Sequence, residues 1–230
     1  MMLSIMNGAH MLEQEFQKNP ALNWMPEFKA AAVKSDVMND RLYTSFSSFY
    51  ERQKNGKTIT PAQRLKLAAD ICPQADLTVA PDHAVFFSGE TRNQAENFVR
   101  ENPHYDVIHT RPGGVMLELL SLFDPENGID YKDAYQAWFT LAARYSETVA
   151  GNVTALVENP KPEKTFRRIE LGLLMENTAV KTINHRPKET FSSLITGGAT
   201  SYNHQMQCFH KVVRRYQSFV RPNTIKPVFK

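Results

Sequence analysis

The sequence predicts an α/β fold, a small mostly parallel sheet with flanking helices, preceded by a helical N-terminal lobe. Three observations point to it. From about residue 83 onward, short apolar stretches of strand length alternate with stretches of helical period, the pattern of parallel strands covered by helices. Residues 1–75 lack that alternation, look helical throughout and carry no recognisable chemistry, so they are read as a lobe or lid, with residues 76–230 as the α/β domain. The chain has 230 residues and is 42% hydrophobic, enough to bury one sizeable core.

In the lobe, Pro26, Pro61 and Pro73 punctuate the helices, and Thr60 followed by Pro61 reads as an N-cap with proline in the first helical position. Residues 84–87 form a short apolar strand ending at Ser88 and Gly89, and 91–101 a helix with Ala95 and Phe98 inward. Residues 106–109 are strand-like, Pro112-Gly113-Gly114 breaks them, and 115–123 are helical or a short apolar stretch. The clearest helix is 131–150, where Ala134, Trp138, Leu141, Ala142, Tyr145 and Val149 recur at three and four and Gly151 stops the run. Residues 153–157 and 179–183 read as buried strands on either side of the connection containing Asn159 to Pro162. The last helix, 203–220, places Met206, Phe209, Val213, Tyr216 and Val220 on one face. Ligands of a parallel sheet sit beyond the carboxyl ends of its strands. Ser88-Gly89, residues 109–114 and the stretch after Val157 are therefore the places to search.

Composition excludes several classes. No apolar run approaches the roughly 18–20 residues that span a bilayer, and Met1 to Leu12 lack the basic and apolar regions of a secretory signal. Membrane association is not expected, and the expected location is the cytoplasm, or a target-cell cytosol reached by a non-classical route. Cys72 and Cys208 are too few for a disulfide framework and have no zinc-site spacing, so no metal is expected and a reducing compartment suits the chain. Between residues 190 and 230 there is no Asp or Glu, while Lys211, Arg214, Arg215, Arg221, Lys226 and Lys230 are all basic within a chain of net charge +3. Such a tail can meet nucleic acid or an acidic partner. Its charges are sparse, however, and a solvated helix face is the reading adopted.

Four segments, in order across roughly residues 84–184, carry a resemblance. Phe86-Phe87-Ser88-Gly89 is similar to an aromatic-aromatic-Ser segment, and Ile108-His109-Thr110-Arg111-Pro112-Gly113-Gly114 to a Leu-Glu-x-Thr-x-x-Gly turn. The run from Ala137 through Trp138, Thr140 and Arg144 to Tyr145 is similar to an aromatic-Trp-x-Thr-x-Ser-x-Arg-Phe helix, and Thr165-Phe166-Arg167-Arg168-Ile169-Glu170 to a Thr-Phe-x-x-x-Glu segment. Together they resemble the ADP-ribosyl cyclase/NAD glycohydrolase family. The resemblance implies that Glu170 is the catalytic carboxylate, that Trp138 and Phe87 are aromatic walls, and that Ser88, Thr165 and Phe166 contact phosphate and ribose. Two departures stand out, His109 where the family has an acid in the turn and Ala142 where it has a helix serine. The missing acid bears on the balance between cyclisation and hydrolysis, so hydrolysis is expected to dominate. An unperturbed imidazole at 109 would change charge near pH ~6.5, just below neutrality.

The chemistry stands on its own. The leaving group of NAD⁺ is a pyridinium that departs neutral, so no acid need protonate it, and one carboxylate beside the ribose stabilises the oxocarbenium-like centre. NAD⁺ or NADP⁺ is then the substrate, and no cofactor is needed. Plainer readings remain beside each role. Trp138 on an amphipathic helix suits a core, Glu170 beside two arginines suits a surface ion pair, Ser88 suits a helix N-cap and His109 a polar turn position. Arg111 and Arg144 suit either pyrophosphate or structural ion pairs, and Gly113 and Gly114 suit freedom in the turn. The alternative activities are an ADP-ribosyl cyclase, an ADP-ribosyltransferase, and a non-catalytic nucleotide or nucleic-acid binder. An NAD-depleting toxin or effector with an immunity or regulatory protein partner is the expected context of the first reading.

Overall fold

The computed structural model describes residues 40–158, 161–195 and 200–219. Met1 to Leu12, Pro26, Asn159, Val220, Arg221, Lys226 and Lys230 lie outside the described residues.

Two helices come first, α1 (Asp40–Lys54) and α2 (Pro61–Gln74). Thr60 caps α2 as expected. Its hydroxyl accepts from the Gln63 amide at 3.2 Å, the Gln63 side chain accepts from the Thr60 amide at 3.0 Å, and Pro61 occupies the first turn. This reciprocal box satisfies donors the helix leaves open and contributes on the order of 1 kcal/mol. Pro73 differs from expectation, since it sits inside α2 rather than outside it. The helix closes one residue later, and Arg144 donates to the Cys72 carbonyl at 2.8 Å and the Ala75 carbonyl at 2.6 Å. Arg144 thus satisfies the carbonyl end of α2, which settles it as a structural residue.

The sheet has five strands in the order β2-β1-β3-β4-β5. These are β1 (Ala84–Phe87), β2 (Asp106–Val107), β3 (Gly151–Leu156), β4 (Val180–Ile183) and β5 (Arg186–Pro187). The first four run parallel and β5 returns antiparallel. Asn184 and His185, both at positive φ, form the two-residue turn into β5. Helix α3 (Arg92–Glu101) joins β1 to β2; α4 (Pro112–Leu119) and α5 (Tyr131–Thr148) lie between β2 and β3; α6 (Leu171–Glu176) precedes β4; and α7 (Tyr202–Phe219) follows the sheet.

Strand alternation sorts the core onto two faces. Val85 and Val107 pack against Ala95 and Val99 of α3. Ala84, Phe86, Val153 and Ile183 face a larger core that takes in Leu141 and Tyr145 of α5 and Phe209 of α7. Leu42, Tyr43 and Phe46 of α1 and Leu65 and Ile71 of α2 belong to that same core, so the described part of the N-terminal lobe shares its apolar interior with the sheet. On α7, Phe209 and Val213 are buried, and Arg215 of the basic stretch pairs with Asp133. No helix among the described residues is long and apolar enough to cross a membrane.

Candidate active site

Three strand ends and one helix face meet at a cavity of about 370 Å³ beyond the carboxyl edge of the sheet. At the end of β1, Phe87 is half-buried and Ser88 is buried, yet both line the cavity. The chain is held there by Thr91, whose hydroxyl accepts from the Ser88 amide at 3.1 Å and donates to the Leu156 carbonyl at the end of β3. The expected cap at Ser88 therefore works through Thr91, and the Ser88 side chain faces the cavity from the start of a short 3-10 turn, Gly89–Thr91.

At the end of β2 the turn Ile108–Thr110 splits its side chains between two environments. His109 lines the cavity, while Arg111 turns away into the core. Thr110 holds the turn by donating to Asp106 at 3.0 Å and accepting from the Val107 amide at 3.2 Å. Gly113 and Gly114 belong to the first turn of α4 rather than to the loop. A Cβ on Gly114 would lie 1.9 Å from the Ile108 carbonyl oxygen, so glycine is required here by close backbone approach. Helix α4 can then start directly beneath the turn.

The third contribution follows β3. Glu163, Lys164 and Thr165 line the cavity, and a single turn of π-helix, Phe166–Glu170, leads into α6. Such a widened turn re-aims side chains relative to α spacing. Phe166 and Ile169 enter the core, and Glu170 reaches the cavity. The two neighbouring arginines do not pair with it. Arg167 donates to the Leu194 carbonyl at 2.8 Å and Arg168 lies 5.0 Å from the centre of the Phe139 ring, which corrects the reading of Glu170 as a surface ion pair.

From α5, Trp138 completes the wall. Its ring stacks on His109 with centroids 4.7 Å apart and planes inclined by 20°, and Phe87 meets the same imidazole at 5.1 Å with planes inclined by 50°. His109 does occupy the turn, as read, but its ring packs into an aromatic cluster with Phe87 and Trp138. Burial, with the nearby Arg92 cation, pushes its pKa down to about 3, so the expected charge change near neutrality is corrected and the ring stays neutral. Its Nδ1 has no hydrogen-bond partner, and its Nε2 is 3.8 Å from Glu118. Burial alone pushes Glu170 the opposite way, up to about 8. Both shifts disfavour the charged form, and such uncompensated burial beside a cavity marks functional sites.

Of the residues named from the sequence, the structure brings Phe87, Ser88, His109, Trp138, Thr165 and Glu170 to this one cavity. Arg144 caps α2 instead, and two more do not reach it. Arg111 is 3% exposed and bonds Asp76 at 2.7 Å, with Asp106 at 3.5 Å, so its charge is satisfied in the core and the assignment to substrate is corrected. Phe166 packs edge-on against Phe86 with centroids 6.4 Å apart in the core beneath the site. Its assigned contact with phosphate or ribose is corrected for a different reason, since apolar burial holds the ring below the cavity.

Several lining residues escaped sequence reading, namely Arg92, Glu118, Phe123, Tyr135 and Lys164. Arg92 is bridged between Glu96 at 2.6 Å and Glu118 at 2.7 Å. The Arg92–Glu96 spacing of four was a visible signal, as was the spacing of three between Tyr135 and Trp138. The approach of Glu118 to Arg92 depends on tertiary packing and had no local signal.

No protein-family model matches the sequence, and no curated protein matches it. Two solved structures of porcine CD38 match this chain at a distance. One, complexed with a covalent intermediate, ribo-F-ribose-5'-phosphate, shares 15% identity over 77% of this chain and 90% of that chain, with a TM-score of 0.39. The apo structure shares 16% identity over 75% of this chain and 88% of that one, with a TM-score of 0.34. The likeness is distant, and the functional reading rests on the cavity.

Proposed function

We propose that this protein is an NAD(P)⁺ glycohydrolase that breaks the nicotinamide–ribose bond and releases nicotinamide and linear ADP-ribose. The observation that carries the reading is the convergence of an unpaired buried carboxylate, Glu170, and an aromatic cluster, Phe87, His109 and Trp138, with the last two stacked, on one cavity. A cavity of this volume lies at the small end of ligand sites and takes the nicotinamide riboside end of the dinucleotide.

In the reaction the bond between the ribose C1′ and the pyridinium nitrogen breaks, and its electron pair goes to that nitrogen, which departs uncharged. The positive charge shifts to C1′ and the ring oxygen. Ionised Glu170 opposes that charge in a site with little water, where the interaction is strongest. Water then adds to C1′ and gives up a proton, leaving a hydroxyl on ADP-ribose. The aromatic cluster supplies the flat surface for the pyridine ring, and Ser88 and Thr165 present hydroxyls towards the ribose and phosphates. A cationic substrate also eases ionisation of Glu170, because a positive charge nearby favours the carboxylate.

Hydrolysis is the expected outcome over cyclisation because the residue in the turn, His109, is a neutral ring packed against Phe87 and Trp138 and offers no negative charge to an adenine amino group. The test is incubation with NAD⁺ and with NADP⁺ followed by chromatographic separation of nicotinamide, ADP-ribose and cyclic ADP-ribose. Nicotinamide and linear ADP-ribose formed in equal amounts support the reading. Absence of nicotinamide release from both dinucleotides overturns it.

A further inference from the structure

Among the described residues the exposed large apolar side chains are Phe123 and Tyr131, and they touch. Their ring centroids are 5.3 Å apart, and each also meets Tyr135, at 5.0 Å from Phe123 and 4.7 Å from Tyr131. The Tyr131 hydroxyl donates to that of Tyr135 at 3.0 Å, which fixes both rings. This ledge is continuous with the cavity, since Phe123 and Tyr135 line it. Tyr131, Tyr135 and Trp138 fall on one face of α5, and seven residues of helix rise separate the first from the last by roughly 10 Å.

We propose that the ledge of Phe123, Tyr131 and Tyr135 is a base subsite that takes the adenine ring of the dinucleotide whose nicotinamide end enters the cavity. The identity of the occupant rests on the function proposed above; the ledge itself does not. Rings held edge to face present flat apolar surface that any base can stack on. Two riboses and two phosphates link the bases of a dinucleotide, enough chain to bridge the interval from Trp138 to Tyr131. A cavity that holds only the nicotinamide riboside end leaves the adenine outside, where the ledge begins. Three rings expose at most a few hundred Å², well below the roughly 1,000 Å² a stable protein interface requires, so a base fits this patch and a protein partner does not.

The test uses the full chain and AMP as probe, with ribose 5-phosphate as the control that lacks a base, both followed by calorimetry. Tyr131→Ala is expected to weaken AMP binding about tenfold, and Tyr131→Phe, which keeps the ring, to stay within about twofold. Circular dichroism of each variant reports the fold. A second measurement compares kcat/KM for NAD⁺ with that for nicotinamide mononucleotide, which has the same scissile bond and no adenine. The preference for NAD⁺ should fall about tenfold in Tyr131→Ala. Loss of AMP affinity in a protein that releases no nicotinamide would uphold the ledge and overturn the glycohydrolase reading. Nicotinamide release with equal AMP affinity in wild type and Tyr131→Ala, or equal affinity for AMP and ribose 5-phosphate, overturns the ledge and leaves that reading standing. Self-association that Tyr131→Ala abolishes and AMP does not affect overturns it as well, by assigning the patch to a second copy.

Discussion

One turn, residues 108–111, feeds two buried polar regions that solve the same problem in opposite ways. Arg111 enters the core and meets Asp76 and Asp106, so charge is taken out of water with its partners. Two residues earlier, His109 lines the same cavity as Glu170, and neither is given a compensating charge strong enough to keep it ionised. A paired buried charge contributes shape and specificity but little chemistry. An unpaired one costs stability and is kept where chemistry needs it. The contrast separates a paired, structural region from an unpaired one, which is the region proposed to do the chemistry.

The largest effect expected from breaking this contrast is on the structural side. Arg111→Met leaves Asp76 and Asp106 buried without their cation, a change that costs roughly 3–5 kcal/mol. In a chain of this length thermal unfolding should move down by on the order of 10 °C, while nicotinamide release falls no further than the folded fraction. A variant of normal stability that loses turnover would place Arg111 back in the substrate site.

Trp138→Ala should show both kinds of effect, because the ring packs against the core and faces the cavity. A fully buried Trp costs about 3–5 kcal/mol on truncation, and one with a face on a cavity about 2. Loss of the stacking surface should raise KM for NAD⁺ roughly tenfold. Kinetics unchanged from wild type would make Trp138 a core residue only.

The pH dependence sharpens the comparison, with smaller effects expected. Glu170 rises in the fold from 4.5 to about 8, so its neutral form is favoured, and stability is lost as pH rises from 4.5 through 8. His109 falls from 6.5 to about 3, so stability is lost as pH drops from 6.5 through 3. Between pH 4.5 and 6.5 the two oppose each other, and Tm measured across pH should be flattest there. Glu170→Gln should remove the alkaline decline and leave the acid one. An alkaline decline that survives the substitution would assign it to another group. For the wild type, kcat/KM for NAD⁺ should climb through about pH 8 as Glu170 ionises in the free protein.

Much of the fold was legible because its signals are local. The helix read at 131–150 is Tyr131–Thr148 and the strand read at 84–87 is Ala84–Phe87, each with strong period and a clear stop. Strand β5 was not legible, being two residues long, one of them proline, with no period to read. Glu170 was found through its sequence context, but the π turn that carries it, with Phe166 and Ile169 buried, has no α or β period to read. Arg111 shows the limit most plainly. Sequence places it two residues from His109, and only the path of the turn decides that one faces the cavity and the other Asp76.

The central claim is that the uncompensated carboxylate at Glu170 does the chemistry. The direct test is nicotinamide release from NAD⁺ by wild type and Glu170→Gln at equal folded concentration, with Tm measured on the same samples at pH 8. Removing one preorganised charge at the developing cation should lower kcat by about 100- to 1,000-fold, with Tm unchanged or raised because the amide no longer carries a buried ionisable group. Turnover by Glu170→Gln within a few fold of wild type would contradict the account.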